Sequence, residues 1–205
     1  MGKFIVTGAA SGIGEAVCSR LEDDGETVIK VDRHNADIVA DLATPEGRGA
    51  ALQACLAASK DGLDGLVCCA GIGSTSPDVT MIPQVNFYGS IELLQGLKDA
   101  LAARGGAAVL VSSNSAPQDT DPNYVVALLS NNQEQLKTSL ATISGHAAYS
   151  GSKQAIAIWM RRNAPDYARS GVRLNAIAPG YTRTAMTEAT EKDPKYSAAI
   201  KGELR

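Results

Sequence analysis

Thr7-Gly8-Ala9-Ala10-Ser11-Gly12-Ile13-Gly14 is the stretch whose reading decides the fold. Ahead of it, Lys3-Phe4-Ile5-Val6 is a short apolar run that predicts a buried strand. Behind it, Ile13, Val17 and Leu21 recur at helical spacing, with Ala16 and Cys18 beside them. Gly8, Gly12 and Gly14 therefore stand where a strand hands over to a helix. A helix N-terminus offers unpaired N–H groups and the positive end of its dipole, which suits a phosphate. Glycines let the backbone turn tightly and approach that phosphate without a Cβ in the way.

A second strand, Thr27-Val28-Ile29-Lys30-Val31, closes on Asp32, 18 residues after Gly14. That is near the spacing at which a carboxylate accepts hydrogen bonds from an adenosine ribose. The same carboxylate repels a 2′-phosphate, so the pattern favours NAD(H) over NADP(H). Arg33 and Lys30 are the neighbouring cations able to accommodate a 2′-phosphate.

The rest of the chain alternates in the same way. Asp37–Ala40 reads as a short strand ended by Asp41-Leu42, and Pro45 opens a helix through Leu52 and Leu56. Leu63–Cys69 is a strand running into Ala70-Gly71, followed by a long helix through Phe87, Ile91, Leu94, Leu97 and Leu101. Ala107–Val111 is a strand ending at Ser112-Ser113, and Val172–Ile177 is another ending at Pro179-Gly180. Continuous apolar strands separated by helices imply an α/β fold, a doubly wound parallel sheet with helices on both faces. Ligands of such sheets bind at the carboxyl ends of the strands, where these polar residues fall. The 205 residues suffice for one well-buried domain.

Composition narrows the partners. Charged residues make up 20% and hydrophobic ones 44%, with a net charge of −3 and no basic block, which argues against nucleic acid. No apolar run reaches membrane-spanning length, and the chain starts directly with a strand, so a cytoplasmic location is expected. Cys18, Cys55, Cys68 and Cys69 have no metal-ligand spacing and read as buried thiols, and no metal is expected.

Tyr149-Ser150-Gly151-Ser152-Lys153 is the reactive constellation. Tyr149 to Arg162 reads as a helix with Ala155, Ile156 and Trp159 on its apolar side, so Tyr149 and Lys153, four apart, share a face. A free phenol titrates near ~10, and a cation at ~4 Å supplies a term of the size needed to bring it toward neutrality. Tyr149 with Lys153 is thus a candidate proton donor and acceptor. Ser113 is placed to hydrogen-bond a substrate oxygen, and Asn86 to bridge a water to Lys153 or to hold backbone geometry.

Taken together, Thr7-Gly8-x-x-x-Gly12-x-Gly14, Asp32, Ala70-Gly71, Asn86, Ser113, Tyr149-x-x-x-Lys153 and Pro179-Gly180 resemble the motif series of the classical short-chain dehydrogenase/reductases. The resemblance is strongest to the bacterial 3α-hydroxysteroid dehydrogenase/carbonyl reductases through Asp64–Gly73, Val85–Gly89 and Arg173–Gly180, a pattern that coniferyl alcohol dehydrogenases largely share. It implies a Rossmann-type fold, a nicotinamide cofactor and a small-molecule alcohol or ketone on an apolar ring system. It implies Tyr149 as acid/base, Lys153 as its modulator and ribose ligand, Ser113 as stabiliser of the substrate oxygen and Asn86 in a water relay. It adds Ser11, Ile13, Ala70, Gly71, Pro179, Gly180, Thr182 and Thr184 to the cofactor contacts, together with Asp41 and Leu42, which it implies flank the adenine. A homodimer or homotetramer is implied as well.

Three departures from that pattern shape further expectations. Cys68-Cys69-Ala70-Gly71 replaces Asn-Asn-Ala-Gly, so the strand tie those asparagines make must come from backbone or packing. Ser113 and Tyr149 lie 36 positions apart, wider than usual, which predicts a packed helical insert over about 117–145 that walls the cleft or remodels a subunit interface. The sequence ends at Arg205, before the family's last helix and strand, and Thr187–Arg205 reads as a mobile substrate loop. His146 reads as a loop residue and His34 as a surface one.

Overall fold

The structure, a computed structural model, describes residues 1–192. β1 (Lys3–Thr7), α1 (Gly12–Asp23), β2 (Thr27–Asp32), β3 (Ile38–Val39) and α2 (Pro45–Ala58) form the first half. β4 (Gly65–Cys68), α3 (Met81–Pro83), a π-helical turn at Gln84–Tyr88, α4 (Gly89–Gly96), α5 (Lys98–Ala102) and β5 (Ala107–Val111) follow. α6 (Pro122–Ser130), α7 (Gln133–Leu140), α8 (Gly145–Arg169), β6 (Arg173–Ile177) and α9 (Ala185–Lys192) complete it. The strands lie in the order β3-β2-β1-β4-β5-β6, and every pairing is parallel. This is the doubly wound Rossmann arrangement. The chain builds outward from β1 to β3, then returns to the other side of β1 for β4, so the order reverses between β1 and β4. Thr7 and Cys68 are register partners at that reversal, and a crevice opens beyond them.

Both faces of the sheet are covered. Along β1 the pleat sends Ile5 into the main core with Leu66, Leu93, Leu94, Leu97 and Leu110. Val6 points to the opposite face, with Ala9 and Cys18. The missing asparagine tie is supplied by Thr7, whose buried hydroxyl accepts from the Ala70 amide at 3.1 Å while its carbonyl accepts from Cys69 N at 3.2 Å. Cys68 and Cys69 pack as small hydrophobic residues; burial pushes the Cys69 thiol up to about 11 and Cys68 higher still.

Residues 122–130 and 133–140 are helical, started by Asp121, whose side chain accepts from Asn123 N at 2.8 Å, and by Asn132, which accepts from Gln135 N at 3.0 Å. Tyr124, Val125, Ala127, Leu128 and Leu136 join the main core. A Cβ on Gly151 would meet the Tyr124 ring at 2.6 Å, so α6 sits directly on the Tyr149 helix. None of residues 114–148 lines the crevice, so the insert does not wall it.

Three elements differ from the sequence reading. The helix expected through Leu101 is interrupted, first by the π-helical turn and then at Leu97, whose backbone (φ −98, ψ 4) leaves the helical range. The Tyr149 helix starts at Gly145, capped by Ser144 accepting from Ala147 N at 3.2 Å, which puts His146 in a helical turn rather than a loop. It continues past Arg162 to Arg169 because Tyr167 is buried and packs edge-on against Trp159 at 6.0 Å. Of the expected loop Thr187–Arg205, the first residues belong to α9, and those beyond Lys192 lie outside the described residues. Among the described residues no helix is long and apolar enough to cross a membrane.

Candidate active site

The crevice lies over the C-terminal ends of β1, β2, β4 and β5, and one end of it is built from the glycine turn. Gly8 has φ +67, and a Cβ there would sit 2.7 Å from the Ala70 amide nitrogen. A Cβ on Gly14 would fall 2.0 Å from the Gly8 carbonyl. Both positions therefore demand glycine, and together they bring the start of α1 hard against the end of β1. Ser11 takes the N-cap position of α1 with an extended backbone and makes no side-chain cap bond, leaving the first amides of the helix open to the crevice. Ile13 lines the same wall.

Asp32 ends β2 with both carboxylate oxygens oriented by backbone. One accepts from Ala10 N at 3.0 Å and the other from Arg33 N at 2.6 Å. The carboxylate is thereby fixed beside the glycine turn. Arg33 and His34 line the crevice next to it while remaining exposed. Lys30 does not line it and is engaged with Glu22 at 2.8 Å. Asp41 and Leu42 form the facing wall, and Ala70 and Gly71 the floor.

At the other end, α8 and β5 present the reactive groups. The Tyr149 phenol and Ser113 line the same end of the crevice, and the Ser113 hydroxyl accepts from Ser115 N at 3.1 Å and donates to Asn114 Oδ1 at 3.4 Å. Lys153 Nζ donates to the Val111 carbonyl at 2.8 Å and lies 5.8 Å from the Tyr149 ring centroid. Ser112 Oγ donates to the Lys153 carbonyl at 2.8 Å, locking α8 to the end of β5. Burial lowers the Lys153 ammonium to about 8. Burial also raises the Tyr149 phenol, against a smaller downward pull from Ser113. The lowered phenol expected from the Tyr-x-x-x-Lys spacing is not what these groups produce alone. The reason is that desolvation acts on both members, weakening the cation while penalising the phenolate.

Asn86 stands behind this end rather than in the crevice. It is fully buried on the π-helical turn. Its Oδ1 accepts from Ile72 N at 2.8 Å, and its Nδ2 donates to the Ile72 carbonyl at 3.1 Å and to Ser152 Oγ at 3.2 Å. It thus pins the chain leaving Gly71 to the Tyr149 helix. Gly180, Thr182 and Thr184 close over the glycine turn from the far side, with Pro179 held through its carbonyl by Asn114 N at 3.0 Å. Thr187 Oγ1 donates to the Thr182 carbonyl at 2.7 Å and accepts from Thr184 N at 2.8 Å, fixing that loop at the start of α9.

One crevice thus gathers Gly8, Ser11, Gly12, Ile13, Gly14, Asp32, Asp41, Leu42, Ala70, Gly71, Ser113, Tyr149, Lys153, Pro179, Gly180, Thr182 and Thr184; Asn86 alone of the site residues expected from sequence is set back. Sequence reasoning missed the apolar lining of Ile72, Met81, Val85, Ala185 and Met186. Met81 and Val85 are four apart ahead of Asn86, a helical spacing that marks them in retrospect; Met186 carries no such signal. Among the described residues, no group of His, Cys, Asp and Glu is arranged to hold a metal ion.

Comparison with known proteins bears on this geometry. The family described as short chain dehydrogenase matches residues 3–126 and 137–195, and the break falls at the junction of α6 and α7. The 3-alpha-hydroxysteroid dehydrogenase/carbonyl reductase of Comamonas testosteroni is 36% identical over 98% of this chain and 80% of its own. The coniferyl-alcohol dehydrogenase of Pseudomonas sp. (strain HR199) is 32% identical over 87% of this chain and 72% of its own. The crystal structure of the 3-alpha-hydroxysteroid dehydrogenase from Pseudomonas sp. B-0831 complexed with NADH superposes with a TM-score of 0.90 and 41% identity, over 96% of this chain and 79% of that one.

Proposed function

The chain belongs to the short-chain dehydrogenase family, and on that premise we propose that it is an NAD(H)-dependent oxidoreductase interconverting an alcohol with a ketone or aldehyde on an apolar ring substrate. The observation that carries the reading is the pairing of the two ends of the crevice. Asp32 stands beside the glycine turn at one end, and Tyr149, Ser113 and Lys153 converge at the other.

The residues fit a dinucleotide. The turn whose glycines leave no room for a Cβ and the open amides of α1 suit a pyrophosphate, and the oriented Asp32 carboxylate suits a ribose diol. When bound, nicotinamide adenine dinucleotide supplies or accepts the hydride. The chain's own groups handle the proton. Tyr149 gives a proton to the substrate oxygen during reduction and takes it back during oxidation, while Ser113, lining the crevice with it, stabilises the same oxygen. Lys153 holds its ammonium beneath the phenol and within reach of a ribose, and Asn86 fixes the backbone behind both. Ile72, Met81, Val85 and Met186 give the crevice apolar surface for a ring system.

The relative from Comamonas testosteroni supports a hydroxysteroid or aryl ketone substrate, and the coniferyl-alcohol dehydrogenase supports an aryl alcohol. Initial rates with NADH across steroid ketones, aryl ketones and aryl aldehydes test the reading. Turnover of at least one ring carbonyl is expected. NADH binding with no turnover of any would leave a dinucleotide-binding module instead.

A further inference from the structure

The geometry points to Arg48 as a positioning residue for the adenine end of the crevice, acting through the Asp41–Leu42 turn. This rests on the proposed reading of that turn as the one flanking adenine. Arg48 lies on α2, is 5% exposed, and does not line the crevice. Its Nη1 donates to the Leu42 carbonyl at 3.2 Å and to Gln84 Oε1 at 3.2 Å, and its Nε donates to Glu92 Oε2 at 2.7 Å. The guanidinium lies 5.7 Å from the centroid of the Tyr88 ring. One planar group therefore ties the turn to the π-helical turn and to α4 at once.

The turn has been built around this arrangement. A Cβ on Gly47 would fall 2.0 Å from the Asp41 carbonyl, so α2 starts directly against the turn. Leu42 is buried to 4% exposure, and its side chain lies over Gly89 of α4, where a Cβ would come within 3.2 Å of Leu42 Cβ. Tyr88 is held in turn by Gln133 of α7, which donates to its hydroxyl at 2.9 Å. The wall that faces adenine is thus set by a clamp rooted in α2, α4 and the insert. A lysine cannot reproduce it, because a single ammonium cannot serve this fork of acceptors while stacking on the Tyr88 ring.

Arg48→Lys and Arg48→Met test the assignment. Arg48→Lys keeps a cation beside Glu92 and so preserves the fold, which its unfolding midpoint checks. NADH affinity is read by fluorescence titration, and AMP affinity by displacement of NADH. In Arg48→Lys both should weaken by about tenfold, the scale of one charged hydrogen bond. The turnover number at saturating NADH should hold, and so should the rate constant with reduced nicotinamide mononucleotide, which lacks the adenylate half. Unchanged NADH and AMP affinity in a folded Arg48→Lys would overturn the inference, as would an equal loss with the mononucleotide. A parent protein that binds neither NADH nor AMP would remove the cofactor reading itself, and this inference with it.

Discussion

Tyr149 and Lys153 share a helix face, yet burial moves their titrations in opposite directions, and that opposition can be tested residue by residue. Lys153 titrates at about 8 in the folded chain, against ~10.4 for an unperturbed lysine. Below about 8 both folded and unfolded states carry the proton, and the full desolvation cost is present. Between the two values the unfolded chain binds more protons, so this group's contribution to stability rises with pH. Removing it with Lys153→Met should therefore give its largest relative gain in melting temperature near pH 7 and a shrinking one toward pH 10. A difference that stays flat or grows would contradict the assignment of burial as the cause. The same variant should lose activity and bind NADH more weakly. At the other end, Asp32→Ala should narrow the preference for NADH over NADPH by about tenfold, as expected if the carboxylate costs the 2′-phosphate about 1.4 kcal/mol. Parallel titrations of the two cofactors check this, and tighter NADPH binding by the parent would put Arg33 in charge instead.

Among the elements, the α6–α8 contact makes the most exacting predictions. Gly151→Ala would thrust a methyl group against Thr120 Oγ1 at 2.5 Å and the Tyr124 ring at 2.6 Å. It should destabilise by about 1–3 kcal/mol, the usual range for overpacking, read from denaturant unfolding. The Tyr124 hydroxyl is buried with no hydrogen-bond partner among the described residues. Tyr124→Phe should accordingly stabilise by about 1 kcal/mol, and a loss of stability would reveal a partner for that hydroxyl. Helical periodicity makes a packed helical insert over about 117–145 legible in the sequence. What packs against it is not, because Gly151 reads as one more small residue until the ring lying on it is known. The sheet was legible for a related reason. Strands buried on both faces appear as continuous apolar runs, and the glycine turn and Asp32 mark their ends chemically. The π-helical turn was not, since Gln84–Tyr88 keeps ordinary helical composition and only the tertiary demand of Asn86 on Ile72 reveals it. The phenol's raised titration was equally out of reach, because i,i+4 spacing reports proximity and says nothing of desolvation.

Across the whole molecule, the sheet's topology joins the two ends of the site. A parallel sheet reverses its order between β1 and β4, and the crevice at that reversal is lined by Asp32 and the glycine turn, the groups proposed to hold a dinucleotide. The same crevice is lined by Tyr149, the proposed acid/base. The insert braces α8 from outside, and through Gln133, Tyr88 and Arg48 it reaches the opposite end of the crevice. On the proposed reading, cofactor grip rests largely on β1, β2 and the turn after β3 and proton transfer on β5 and α8, with Lys153 serving both. The most direct measurement is carbonyl reduction by NADH in the parent and in Tyr149→Phe, with NADH affinity determined for both. The substitution removes one hydroxyl and keeps the ring. The turnover number should fall by at least about 10²-fold on general acid–base grounds, with NADH binding retained. Near-normal turnover by Tyr149→Phe on a ketone that the parent reduces would contradict the account.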